Sequence, residues 1–197
     1  MKGAESMQTS SWNVRGLVFS ALFAALFILF SLITITPGLF PVPFTLQSFA
    51  LMLTGGLLGA RYGFYSIFVV VALTALGLPL LHGQGGLSLI LGKSGGFIWM
   101  FPVAAFAIGW MSDRIKGKGP VSYILLFVTM ELFGSLLLYV TGVPWLAHAA
   151  GFSISKAWML GGYPFLLPDM VKAIAAAGVV LSLRQFVPKL AHSRLAR

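Results

Sequence analysis

Cysteine is absent from the 197 residues, and acid nearly so: Glu5, Asp113, Glu131 and Asp169 are the four carboxylates. Without cysteine there are no disulfides, thiolate nucleophiles or cysteine metal sites. Charge of either sign is scarce, at 9% of residues against about 25% in soluble domains. With 58% of residues hydrophobic, a soluble globular protein is excluded and an integral membrane protein is implied. Two histidines, His82 and His148, fall in expected loops, and no spacing joins them to a serine or an acid as a triad or a metal site. Catalytic residues, metal and cofactor are therefore not expected.

What the chain has is basic charge and long apolar runs. At about 20 residues per span, there is room for about six helices and no separate soluble domain. The runs place helices at Gly16–Thr36, Phe44–Ala60, Tyr62–Leu80, Phe97–Ser112, Val121–Thr141 and Pro164–Phe186. Residues 1–15 read as a cytoplasmic N-terminal segment, 16–187 as the transmembrane domain and 188–197 as a basic cytoplasmic tail. The first apolar run is too long for a signal-peptide core and no cleavage site follows it, so it reads as a retained helix.

A net charge of +9 raises the possibility of nucleic acid. Its distribution argues otherwise. With both termini cytoplasmic, ten of the 13 Lys and Arg fall inside, Lys93 and Lys156 fall outside, and Lys172 lies within the last helix. That asymmetry is the positive-inside pattern of a plasma-membrane (inner-membrane) protein whose surroundings are lipid, and it needs no nucleic acid. Trp12, Trp110, Tyr123, Tyr139 and Trp145 fall near expected helix ends, as interfacial anchors do.

Three outer loops follow from this map. The first is rich in proline (Leu39 to Pro43). The second is rich in glycine (His82 to Gly86, then Gly92-Lys93-Ser94-Gly95-Gly96). The third holds Trp145, His148, Lys156 and Trp158. All three lie on the side where Asp169 and Lys172 enter the last helix. Residues three apart share a helix face, and ionised groups in a membrane are costly unless paired or facing a wet cavity. Pro168 weakens the helix just before them, which favours a cavity over a plain helix contact. The pair therefore reads as a polar site for a small molecule arriving from outside.

Other motifs carry less. Gly92-Lys93-Ser94 resembles the end of a phosphate loop, but five residues separate Gly86 from Gly92 where that motif needs four. Lys93 reads instead as a partner for a ligand carboxylate or as a solvated loop cation. Gln84 stands among glycines that let backbone approach a ligand. Gln47 lies one turn into the second helix, as a ligand contact or a helix-helix hydrogen bond. Glu131, in the middle of the fifth helix, reads as a proton or ligand site or as a partner for another helix, with the structural role favoured. Ala21 and Ala25 form a small-residue face on the first helix, and Gly55 and Gly59 another on the second.

Pro41-Val42-Pro43-Phe44-Thr45-Leu46-Gln47, then Gly92-Lys93-Ser94-Gly95-Gly96-Phe97, then Pro164-Phe165-Leu166-Leu167-Pro168-Asp169-Met170-Val171-Lys172 resemble the BioY family, the biotin-binding S components of energy-coupling factor (ECF) transporters. The resemblance runs in order along residues 12–188. It implies an all-α, six-helix membrane protein that takes biotin from outside. It also implies an energising T component with two cytoplasmic ATPases. By resemblance, Asp169 and Lys172 belong to the biotin site, the loop around Gln84 contributes to it, and Ala21 and Ala25 dock the T component. Chemistry adds that a carboxylate accepts from ureido N–H groups and an ammonium donates to the ureido carbonyl. Lys93 is the nearest outer cation for the valerate carboxylate. Phe44, Trp145, Trp158 and Tyr163 are suited to an apolar wall. A solitary biotin facilitator, an S component for another vitamin and an intramembrane enzyme are the alternatives.

Overall fold

The computed structural model describes residues 14–35, 42–184 and 186. Trp12, Pro41, most of the N-terminal segment and the tail at 188–197 lie outside the described residues. The fold is helical. Five helical stretches are long and apolar enough to cross a membrane: Val14–Leu32, Gln47–Ala75, Gly95–Ser112, Pro120–Ala150 and Tyr163–Leu183. The first is α1, the second α2 and the third α4; a single turn, α3 (Leu87–Ile90), precedes α4. The fourth comprises α5 (Pro120–Glu131), a π turn (Leu132–Leu136) and α6 (Leu137–Ala150). A short α7 (Ile154–Gly161) leads to α8 (Tyr163–Leu183).

The 29 residues of α2 would make a straight rod of about 44 Å, against roughly 30 Å of hydrocarbon. The rod is broken at Gly59, whose φ of 76° and ψ of 179° are not helical. Beyond that point the chain doubles back. A Cβ on Gly63 would stand 3.2 Å from the Cα of Gly55, where an unbroken helix would hold residues eight apart at about 12 Å. The break falls where the sequence places a turn near Arg61. Helix α4 crosses this corner at Gly109, where a Cβ would lie 2.3 Å from backbone atoms of Gly59 and Ala60. Glycine at 59 and 109 is thus demanded by backbone, first by conformation and then by contact.

The outer loop expected after Thr141 is instead helical through Ala150, with Pro144 inside it. Proline deletes one helical hydrogen bond, which a helix tolerates where its neighbours enclose it. Trp145, on this extension, donates from Nε1 to the carbonyl of Gly92 at 2.9 Å and so pins the glycine-rich segment.

Two apolar clusters stack along the bundle. One contains Leu51, Leu81, Ile90, Phe97, Leu146 and Phe165. The other contains Leu58, Tyr62, Ile108, Leu126, Ala176 and Val180. Arg184 closes the second end, its guanidinium donating to the carbonyls of Ile115 (2.9 Å) and Gly117. At the first end an antiparallel ladder pairs β1 (Thr34–Ile35) with β2 (Phe44–Thr45), delivering the chain to the start of α2.

Gly59→Ala is expected to destabilise the protein by about 1–3 kcal/mol, the range for a side chain forced into a sparsely populated backbone region. Thermal unfolding in detergent checks this, and an unchanged midpoint would contradict the tight corner.

Candidate functional site

Asp169 and Lys172 meet at the seam between the two apolar clusters, in the turn of α8 that follows Pro168. Lys172 Nζ stands 2.8 Å from Asp169 Oδ1. The same ammonium donates to the Thr45 carbonyl at 2.8 Å and to Ser48 Oγ at 3.1 Å. An ammonium has three donors, so this set occupies them all. Ser48 passes its own proton on, donating to Asp169 Oδ1 at 2.9 Å. The other carboxylate oxygen accepts from the Tyr139 hydroxyl at 2.6 Å. One acid, one base and two hydroxyls from α8, α2 and α6 thus form a closed network, with Asp169 only 6% exposed.

Local structure explains why α2 supplies this group. Thr45 ends β2, and its hydroxyl accepts from the Gln47 N–H at 3.2 Å, turning the chain into the helix. The Thr45 carbonyl is left facing α8, and Ser48 is one residue inside the first turn. The Thr45 hydroxyl also donates to Gln47 Oε1 at 3.3 Å. The Gln47 side-chain amide, Nε2, is buried with no partner, on a residue only 3% exposed. A buried donor without a partner costs about 1–3 kcal/mol.

These side chains line one cavity together with Val42, Phe97, Ile98, Phe101, Leu138 and Phe165. The walls are apolar and the polar atoms converge at one place, as in small-ligand sites. Its free volume is about 70 Å³, below the few hundred Å³ of pockets that hold such ligands. A ligand larger than a few waters therefore enters only if the lining moves. Phe165 stacks on Phe44 with ring centroids 4.1 Å apart. Trp158 leans on Tyr139 at 6.0 Å and on Tyr163 at 5.6 Å.

The glycine-rich loop reaches the cavity through His82 and Ser94. His82 has φ of 56° and is tied to the end of α1: its N–H donates to Ser31 Oγ at 3.3 Å, and its Nδ1 lies 3.1 Å from the Ser31 carbonyl. Burial holds the imidazole below its ordinary pKa, against the opposing effect of the bond to Ser31.

The residues singled out from sequence fall in two groups. Asp169, Lys172 and Gln47 line the cavity, and Phe44 is half-buried behind Phe165. Gln84, Lys93 and Tyr163 are exposed, at or next to the loops and not among the lining residues. Ala21 and Ala25 are both exposed on α1. Sequence reasoning missed Ser48, Thr45 and Tyr139. The sequence suggests an interfacial anchor at Tyr139, whereas the residue is 3% exposed and bonded to Asp169.

Comparison with known proteins agrees along most of the chain. A family model described as the BioY family matches residues 5–189. The biotin transporter BioY of Rhizobium etli is 37% identical over 172 residues, covering 84% of this chain and 90% of that protein. The probable biotin transporter BioY of Pyrococcus horikoshii is 43% identical over 157 residues, covering 79% and 88%. A crystal structure of the S-component for biotin from an ECF-type ABC transporter superposes with a TM-score of 0.81 at 31% identity, covering 90% of this chain and 95% of that one.

Neutral His82 stabilises the loop, so its contribution is present above the ordinary pKa of about 6.5 and is lost as pH falls below it. Amide-exchange protection of residues 80–86 is expected to drop between pH 7 and 5, and His82→Gln to remove that dependence. Equal protection at both pH values would contradict the tether.

Proposed function

Because the chain belongs to the BioY family, we propose that it captures biotin from outside the cell and mediates its import as the substrate-binding subunit of an ECF-type transporter. The observation that carries the reading is the buried network of Asp169, Lys172, Ser48 and Tyr139 at the wall of an otherwise apolar cavity. The ureido group has two N–H donors and a carbonyl. Asp169 accepts from the first kind, and the unpartnered Gln47 amide donates to the second, joined by Lys172 as the ligand carbonyl takes the place of Ser48 on its ammonium. Charge-assisted bonds in a dry site are the strong ones. The bicyclic ring and alkyl chain lie against Phe97, Phe101 and Phe165, with Phe44 behind. Lys93 adjoins the lining residue Ser94 and is the cation for the valerate carboxylate. Gln84 and Tyr163, with Trp158, form the rim that moves to admit the ligand.

In the proposed topology the chain crosses the plasma (inner) membrane six times, the two arms of α2 counting separately, with both termini in the cytoplasm. Support comes from the fold-back at Gly59 and from the basic end formed by Arg15, Arg61, Arg114, Lys116, Lys118 and Arg184. Uphill import then uses a transmembrane T component and two cytoplasmic ATPases. The exposed alanine face of α1, Ala21 and Ala25, is the docking surface, since small residues allow close helix approach in lipid.

Asp169→Asn and Lys172→Ala are each expected to weaken biotin binding more than about tenfold, because truncating one partner of a buried charged contact costs roughly 2–5 kcal/mol. Calorimetry on folded variants reads this, and unchanged affinity would remove the site. Replacing Ala21 and Ala25 together by leucine is expected to leave binding intact and lower uptake into cells. Loss of binding would instead make that face internal packing.

A further inference from the structure

A second concavity lies toward the opposite end of the bundle, on its outer surface. The returning arm of α2 and the facing side of α4 leave a groove of about 450 Å³ lined by Arg61, Phe64, Tyr65, Val103 and Phe106. Phe64 meets Phe106 edge to face at 6.5 Å and stacks on Phe68 at 5.5 Å, so aromatic rings form the groove's sides. Tyr65, Val103 and Phe106 remain exposed.

The charge is at one end. Val103, Phe106 and Trp110 recur at helical spacing and share one face of α4, and Arg114 follows in the turn just past its end. Arg114 lies over the Trp110 ring, 3.6 Å from its centroid, and donates to the Trp110 carbonyl at 2.5 Å. Gly109, next to Trp110, packs on the Gly59–Ala60 corner, next to Arg61. Arg61 and Arg114 are therefore at the same level, with a tryptophan beside them and an aromatic trench running away toward the bilayer centre. A guanidinium has five donors in a planar fork, so one backbone contact does not exhaust it. Among the described residues this end also carries Arg15, Lys116, Lys118 and Arg184, with Asp113 as its acid.

We propose that the groove between α2 and α4 binds one anionic phospholipid, its phosphate held by Arg61 and Arg114 and one acyl chain lying along Phe64, Tyr65, Phe106 and Val103. Charge complementarity selects this occupant over a zwitterionic lipid, since the headgroup end is basic and the trench is apolar. Tryptophan at headgroup level fits the same placement. The site is separate from the ligand cavity, so its test does not involve biotin.

Native mass spectrometry of the protein released from detergent, with phosphatidylglycerol or phosphatidylcholine of identical chains, reads the proposal. One phosphatidylglycerol is expected to be retained at least about tenfold more strongly than phosphatidylcholine. R61Q/R114Q is expected to lose that preference, by about fivefold per arginine, whereas R61K/R114K, which keeps both charges, largely retains it. V103W, on the lipid-facing surface, is expected to reduce retention of both lipids. Thermal unfolding verifies that each variant is folded. Equal retention of the two lipids by the unsubstituted protein would overturn the proposal. So would undiminished phosphatidylglycerol retention in folded R61Q/R114Q or in folded V103W.

Discussion

An ionised carboxylate and an ammonium persist inside an apolar bundle only when every donor and acceptor they carry is satisfied. Asp169 and Lys172, on α8, bind each other and groups from two neighbouring segments: the Thr45 carbonyl and Ser48 hydroxyl where β2 leads into α2, and the Tyr139 hydroxyl on α6. The network therefore ties α8 to α2 and α6 at one level. Removing any one member leaves another unpaired in a low-dielectric site, which costs more than the bond itself. This is why the cavity forms where it does. The side chains of this network are held in place before any ligand arrives, and beside them the Gln47 amide is buried without a partner.

The rest of the fold follows from fitting long helices to a thin solvent. The 29 residues of α2 and the 31 residues from Pro120 to Ala150 both exceed the roughly 30 Å hydrocarbon layer as straight rods. They are accommodated differently. α2 reverses at Gly59, which brings both of its arms against α4 and puts Gln47 and Ser48 at the ligand end. The α5–α6 rod stays continuous through its π turn, so Tyr139 is directed at Asp169 and Trp145 reaches the Gly92 carbonyl. A π turn rotates the residues beyond it relative to those before, and such turns recur at functional sites.

Much of this was legible in the sequence. The apolar runs, the charge asymmetry and an Asp-Lys pair beside Pro168 were enough to expect a membrane bundle with one polar site near its outer loops. What stayed hidden had physical causes. Gly142 and Pro144 look like helix breakers, but α6 runs through both, so Tyr139 appeared to be at a membrane interface when it is deep in the bundle. Ser48 carries no distinctive signal: a serine in an apolar helix is ordinary until a partner is seen across from it. The exposed positions of Lys93 and Gln84 depend on the path of a glycine-rich loop, and glycine makes that path hard to read from residue types. His82 was visible only as a loop histidine, and its tether to Ser31 spans 51 residues of sequence.

The most direct measurement is the affinity of the purified protein for biotin set beside diaminobiotin, whose ureido ring is opened and whose carbonyl is lost, with riboflavin and thiamine as controls. If Asp169, Lys172 and Gln47 read the ureido group, biotin binds tightly, the opened analogue binds far more weakly, and the two other vitamins do not bind. Equal affinity for biotin and diaminobiotin would mean that the buried network holds the helices together but does not recognise the ligand.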